Sequence, residues 1–552
     1  MRNYEPNADQ IVALYQQLED DILRSMIRRM LKMGFVSGTT AYQAEILQTA
    51  GLLYDDIVQL IADRTDASTT QVRALFEDAG VQTVEIDNDV HESAGEVPAD
   101  IRQDGGMKQV LEAGYKKTMG TMRNLVSTTA TETQNTFIHA CDRAYMQVSS
   151  GAFSYQEAIR QAIIQAAADG ATVRYPSGHT DRMDVAVRRA VLTGVGQTSA
   201  AVSLEHAKQS GCYLMELTAH GGARPNHAKW QGQLVSLTGQ DVGKIINGMR
   251  VFSLREIGYG SGDGFKGWNC RHNWHPYYPG LSVPNYTKAQ LKELDTKNIP
   301  YNGKIYSEYE VSQIQRAGER KVRALKRKAV SLDEAVKSVT EPELKQRLTD
   351  DFTAVSVRLK DAEAQLKDFC QATGRRRDRF REQTIGFDRS VSQKTVQEEK
   401  KFLQYLDSDD IINKEKILSG FEKYKDKYPD SDLPHYMVDY KLKESGIKKG
   451  VALPAKPKRA YILPDDSSKR DPYHIMHRMV ERHVTDDDLE KFMKESKVMF
   501  VQWGGQRQTF YSDSGVVVIT RSGDEWIYKT AWSKYDFDDE TLKVLEVINK
   551  YV

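Results

Sequence analysis

Apolar residues recur every three or four positions over 10–210 and again over 308–370, and the pattern stops across 211–285. A repeat of that period lines its apolar side chains along one face of an α-helix. The chain is therefore expected to be mostly helical, interrupted by one unlike block. Ile11, Leu14, Leu18, Ile22, Met26 and Met30 mark a helix over 10–33. Further helices are expected over 41–64 and 68–79, with Asp66-Ala-Ser-Thr-Thr read as the cap of the second of these. Ser154 followed by Glu157 reads as a capping box for a helix reaching 168; a short strand and turn follow over 169–178, and 184–210 is again helical. Over 308–328 and 332–370, Val322, Leu325, Val336, Leu344, Leu348, Val355, Leu359 and Leu366 form an apolar stripe on charged helices. This is the pattern of an antiparallel pair or coiled-coil hairpin.

The interrupting block is rich in glycine and in aromatics, among them Trp230, Tyr259, Phe265, Trp268, Trp274, Tyr277 and Tyr278. It reads as an irregular or β-rich subdomain. Gly262-Asp-Gly-Phe-Lys-Gly fits G-x-G-x-x-G, but no strand precedes it and no helix follows, so it is not a dinucleotide fingerprint. Neither a Walker A sequence nor a G-x-S-x-G elbow is present. His220, His227, Cys270, His272 and His275 are side chains of the type zinc takes. Their spacing is not that of a standard finger, and the surrounding aromatics would pack without a metal. A metal centre and a metal-free hydrogen-bonded knot both remain open.

At 552 residues the chain is too long for one compact core, and about three or four units are expected. The boundaries suggested are an acidic helical domain over 1–106, a core over 107–285, long charged helices over 286–395, a helix and linker over 396–460, and a tail over 461–552. Lys plus Arg and Asp plus Glu are 77 each, but 8 basic against 19 acidic residues over 1–106 leave a local balance of −11. That start is either a solvated acidic face or a docking surface for a basic partner. Arg375-Arg-Arg-Asp-Arg-Phe-Arg reads as a solvated helix end or a nucleic-acid contact. No run of 18 apolar residues occurs, so neither a membrane span nor a membrane partner is expected. The N-terminus lacks a secretory pattern, and four cysteines in so long a chain favour a reducing compartment.

Lys448-Lys-Gly-Val-Ala-Leu-Pro-Ala-Lys-Pro-Lys-Arg reads as a Pro- and Lys-rich linker. Beyond it, helices are expected over 472–483 and 485–496, then strands over 498–503, 508–511, 516–520 and 525–532, then a helix over 539–550. This is a small α+β domain with a four-stranded antiparallel sheet. His474, His477, Arg478, Glu481 and Arg482 crowd onto the first helix, and the strands offer Tyr511, Thr530 and Trp532. Metal-independent RNA cleavage needs a His or Glu to move the 2′-hydroxyl proton, an Arg to stabilise the phosphorane, and a Tyr or Thr to position phosphate. The candidate catalytic set is therefore His477, Arg478, Glu481, Arg482, Tyr511 and Thr530. The plain alternative is salt bridging on an amphipathic helix.

Three ordered blocks carry a resemblance. They are Met183-Asp-Val-Ala-Val-Arg-Arg-Ala-Val-Leu-Thr-Gly, Ala223-Arg-Pro-Asn-His-Ala-Lys-Trp-Gln-Gly, and Gly267-Trp-Asn-Cys-Arg-His-Asn-Trp-His-Pro. Over about 1–320 the chain resembles the phage minor capsid protein 2 family, related to MuF-like head morphogenesis proteins. The resemblance implies a low-copy structural component of the heads of tailed phages, associated with the portal. Portal and other head proteins are the implied partners, and a scaffold protein is a further candidate. The implied place is the virion, in the head interior or at the portal vertex, after assembly in the host cytoplasm. No cofactor is expected. Arg224, His227, Trp230, Gln231, Gly232, Cys270, Arg271 and His272 are the matching positions, with the implied role of holding the subdomain together. The tail is similar to phage-borne barnase/EndoU/colicin/RelE-like nuclease domains through H-I-x-H-R-M-x-E-R and a late T-x-W. That implies a ribonuclease-like effector with RNA as substrate. The alternative expectation is a toxin-like ribonuclease for which the head region is only a carrier.

Overall fold

The computed structural model describes residues 6–33, 39–151, 153–294, 296–463 and 475–552. It divides into two compact units, Met1–Val396 and Gln397–Val552.

The first unit is built on long helices: α1 (Asp9–Lys32), α2 (Thr39–Ser93), α3 (Gly105–Ser149), α4 (Tyr155–Asp169) and, after the hairpin β1 (Thr172–Arg174)–β2 (Thr180–Arg182), α5 (Met183–Gln209). The stripe expected on α1 is its buried face, with Leu18, Ile22, Met26 and Met30 fully enclosed. The helices expected over 41–64 and 68–79 are one continuous helix, and the Asp66-Ala-Ser-Thr-Thr cap lies in its interior. The reason is local. Ser68 and Thr69 turn their hydroxyls back to the Thr65 carbonyl at 2.9 Å each, which satisfies them without ending the helix. Residues 9–93 pack in this unit against α3 and α5.

A five-stranded sheet follows α5, formed by β3 (Leu214–Leu217), the one-turn α6 (Pro225–Ala228), β4 (Leu234–Ser236), β5 (Ile245–Ile246), β6 (Met249–Ser253) and β7 (Trp274–Pro276), in the strand order β5-β6-β4-β3-β7. Only β4 and β6 run parallel. Met215, Trp230, Val235, Phe265 and Trp274 fill its core together with Ala200 and Ala207 of α5. Within the loop before β7, a Cβ on Gly264 would run into the Gly258 carbonyl, and one on Gly267 into the Gly262 carbonyl. The G-x-G-x-x-G match is therefore a close-packed loop that only glycine can build.

After α7 (Lys288–Leu294) and the hairpin β8 (Ile299–Tyr301)–β9 (Lys304–Tyr306) comes the long helical hairpin, α8 (Glu308–Ser338) and α9 (Pro342–Ala372). Its turn falls at 339–341 rather than near 330, because Val330, Ser331 and Leu332 are buried within α8. Glu341 then caps α9, and Pro342 opens it where an N–H is not needed. Ion pairs hold the hairpin to the earlier helices: buried Glu334 takes the half-buried Arg24 and the exposed Arg28 of α1 at 2.7 and 2.6 Å, and Asp351 takes Arg160 of α4 in a buried pair through two bonds of 2.6 and 2.7 Å. The arginine run that follows is partly spent inside the unit, Arg375 on Glu308, Arg377 on Glu382 in α10 (Arg379–Glu382), and Arg381 on Asp378.

The first unit ends within α11 (Arg389–Leu403). The second holds α12 (Ser408–Ile412), α13 (Lys414–Lys427), α14 (Leu433–Glu444), β10 (Val451–Pro454), β11 (Ala460–Tyr461), α15 (Ile475–Glu481), α16 (Asp486–Glu495), the meander β12 (Val498–Gln502), β13 (Arg507–Tyr511), β14 (Gly515–Ser522) and β15 (Glu525–Ser533), and α17 (Asp539–Tyr551). Among the described residues the sheet has six strands, not four, in the order β10-β12-β13-β14-β15-β11. Both additional strands come from around the segment expected to be a linker. β10 pairs with β12, Ala452 is buried, and its carbonyl accepts from the Tyr424 hydroxyl at 2.7 Å. Proline at the end of an edge strand costs no ladder bond. The first part of the helix expected over 472–483, with His474, lies outside the described residues.

Candidate functional site

Pro225, with its fixed φ, starts the single turn of α6 and sets His227 two residues on. The close-packed loop then delivers Cys270 and His272 beside it. The donor atoms of His227, Cys270 and His272 all lie within 4.8 Å of one another, so these three side chains could hold a metal ion. Cys270 Sγ is 3.9 Å from His227 Nδ1 and 3.6 Å from His272 Nδ1. The far nitrogens are engaged elsewhere: His227 Nε2 meets the Asp263 carbonyl at 2.7 Å, and His272 Nε2 meets Gln231 Oε1 at 3.3 Å. Trp230 packs against both imidazoles with ring centroids 4.7 Å away. Burial pushes the His272 imidazole down to about 2 and also lowers that of His227, disfavouring the charged form of both rings.

The matching positions surround this trio. Gln231 and Trp230 are buried, the Arg224 guanidinium donates to the Trp268 carbonyl, and Gly232 has φ +65° with Leu291 where a Cβ would go. The Arg271 guanidinium lies 3.4 Å from His220 Nδ1, which itself faces the Gly221 carbonyl at 2.9 Å. A cavity of about 370 Å³ borders the trio through His227 and Cys270, and Arg224, Arg271, Arg316, Arg375, Arg376 and Arg381 line it. Burial first, and then the neighbouring Arg381 and Arg271, lower the Arg316 pKa.

His275, a candidate ligand with the others, is not part of the group. It lies on β7, where alternation sends Trp274 into the core of the sheet and His275 to the other face, toward α2. Its Nδ1 is 3.7 Å from Asp87 Oδ1, and both residues are buried. Neither Asp87 carboxylate oxygen, neither His275 nitrogen, nor the Ser203 hydroxyl has a hydrogen-bond partner among the described residues. All three residues line a second cavity of about 390 Å³, with Lys266, whose ammonium burial pushes down to about 8. Sequence reasoning missed Asp87, His91 and Lys266. The one available signal was the i, i+4 spacing of Asp87 and His91 on a helix.

In the tail, Arg482 donates to the Ala531 carbonyl at 2.9 Å and to Thr530 Oγ1 at 3.5 Å, and lies 5.8 Å from the Trp532 ring centre. Arg478 pairs with Glu481 at 2.7 Å, and His477 is exposed. Tyr511 is not brought to this group. Phe510 faces the core shared with α15 and α16, so Tyr511 faces the other way, where Lys449 and Glu540 act on its buried hydroxyl.

Over 189 residues the chain is 27% identical to a protein described as "Structural protein" from Lactococcus phage LL-H, a match covering 34% of this chain and 47% of that protein. The chain thus spans about half the length of this relative. No solved structure matches. The family model for phage minor capsid protein 2 matches residues 2–371, the helical body, the five-stranded sheet and the hairpin together. The chain belongs to the phage minor capsid protein 2 family.

Proposed function

We propose that the chain is a minor structural protein of a phage head, seated at the portal vertex and bound there by portal and other head proteins. The family match over 2–371 carries this reading. Long helices tied by ion pairs suit a rigid structural part, and the acidic start offers a complementary charge to a basic partner. A second reading adds a ribonuclease-like effector in the tail. It is supported by a single side chain, Arg482, meeting both Thr530 and the Trp532 ring. The toxin-like alternative makes that activity the main one.

One experiment with two arms tests these readings. Mass spectrometry of purified virions and procapsids of the source phage, with cross-linking, is expected to find this chain joined to portal. Its absence from both particles overturns the head reading. In the other arm the full chain is induced in a host. RNA breakdown that is lost in Arg482→Ala supports the effector, and intact RNA with unimpaired growth sinks it.

A further inference from the structure

We propose that His227 Nδ1, Cys270 Sγ and His272 Nδ1 are the protein ligands of a zinc ion, with the fourth position facing the arginine-lined cavity. The protonation pattern carries the argument. His227 Nε2 faces a backbone carbonyl, which can only accept, so Nε2 carries a proton, and the neutral tautomer this contact selects presents a lone pair on Nδ1. Gln231 Oε1 also accepts from the His220 backbone N–H at 3.3 Å, which identifies that atom as the amide oxygen. His272 Nε2 must then donate to it, and His272 Nδ1 also presents a lone pair.

Two lone pairs therefore converge on one sulfur. A thiol has a single proton and can satisfy only one of them. A cation bound by the thiolate and both nitrogens satisfies all three, and the proton leaves to solvent. The spacing agrees. Ligand distances of about 2.3 Å for sulfur and about 2.1 Å for nitrogen at a tetrahedral angle put S and N roughly 3.6 Å apart. The two separations here are 3.6 and 3.9 Å. Asp263 and Gln231 already supply the outer hydrogen bonds that orient ligating imidazoles. The nearby positive charge is partly offset, since Arg375 is paired with Glu308 and Arg381 with Asp378.

The test is metal content of the full chain by elemental analysis, together with cobalt substitution. The wild type is expected to hold about one zinc per chain and, with cobalt, to show a thiolate-to-metal charge-transfer band. Cys270→Ser is expected to lose the metal and the band while keeping its helical circular dichroism. Gln231→Leu is expected to bind about 10–100-fold more weakly. No bound metal and no cobalt band on titration of the wild type overturns the proposal, as does full zinc occupancy in a folded Cys270→Ser chain. If Cys270→Ser fails to fold, the wild-type cobalt band alone decides.

Discussion

Burial sets the charge state of several polar side chains, and each then makes stability depend on pH in a definite direction. His91 is fully enclosed, paired with Tyr278 at 2.8 Å, with the His206 ring 4.1 Å away and Asp87 one turn back on α2. Desolvation first, and then the neighbouring His206, lower its pKa to about 4 against Asp87, which raises it. The folded pKa lies below the ordinary 6.5, so the unfolded chain takes up the proton first. Nothing is lost above pH 6.5, and stability falls as pH drops from 6.5 toward 4, by up to about 3 kcal/mol from this residue. Melting of the wild type is therefore expected to fall more steeply over that window than melting of His91→Gln. Equal slopes would show that His91 does not stay neutral in the fold. The pairing of these two histidines was not legible in the sequence, because 115 positions and a strand crossing separate them, and only the packing of α2 on α5 joins them.

At the scale of elements, the hairpin and the older helices are joined by charge as well as by apolar contact. Arg160 and Asp351 are both largely buried and bidentate. Removing Asp351 strips the buried Arg160 of two bonds and leaves it Glu157 at 2.7 Å, so Asp351→Ala is expected to cost about 3 kcal/mol in denaturant melts. Arg160→Met combined with Asp351→Leu is expected to recover most of that loss; a strictly additive cycle would contradict the coupling. Element types were readable from periodicity: α1 and α4 appear close to where the stripe and caps put them, and α8 and α9 form the expected hairpin with its turn ten residues later. Ser154 marks a true start, whereas Asp66-Ala-Ser-Thr-Thr has the composition of a cap but spends its hydroxyls on the preceding turn, and Pro342 opens a helix expected to begin ten residues earlier.

At the scale of the molecule, the site was legible as residue types and illegible as a group. His227, Cys270 and His272 could be named from the sequence, but only the loop closed by Gly264 and Gly267 brings them together, and only the pairing of β7 turns His275 away toward Asp87. The tail was legible as a meander and not as a sheet, because β10 and β11 flank a run of lysine and proline that hides two strands. That hidden edge bears on how the tail can be handled in isolation. A fragment starting at Tyr461 lacks β10 and leaves the unsatisfied N–H and C=O groups of β12 open along one side, a template for strand pairing between copies. Such a fragment is expected to sediment as aggregates, while one starting at Gln397 stays monomeric in the ultracentrifuge. A loss of activity seen only in the shorter piece would then report a sticky edge, and say nothing about chemistry.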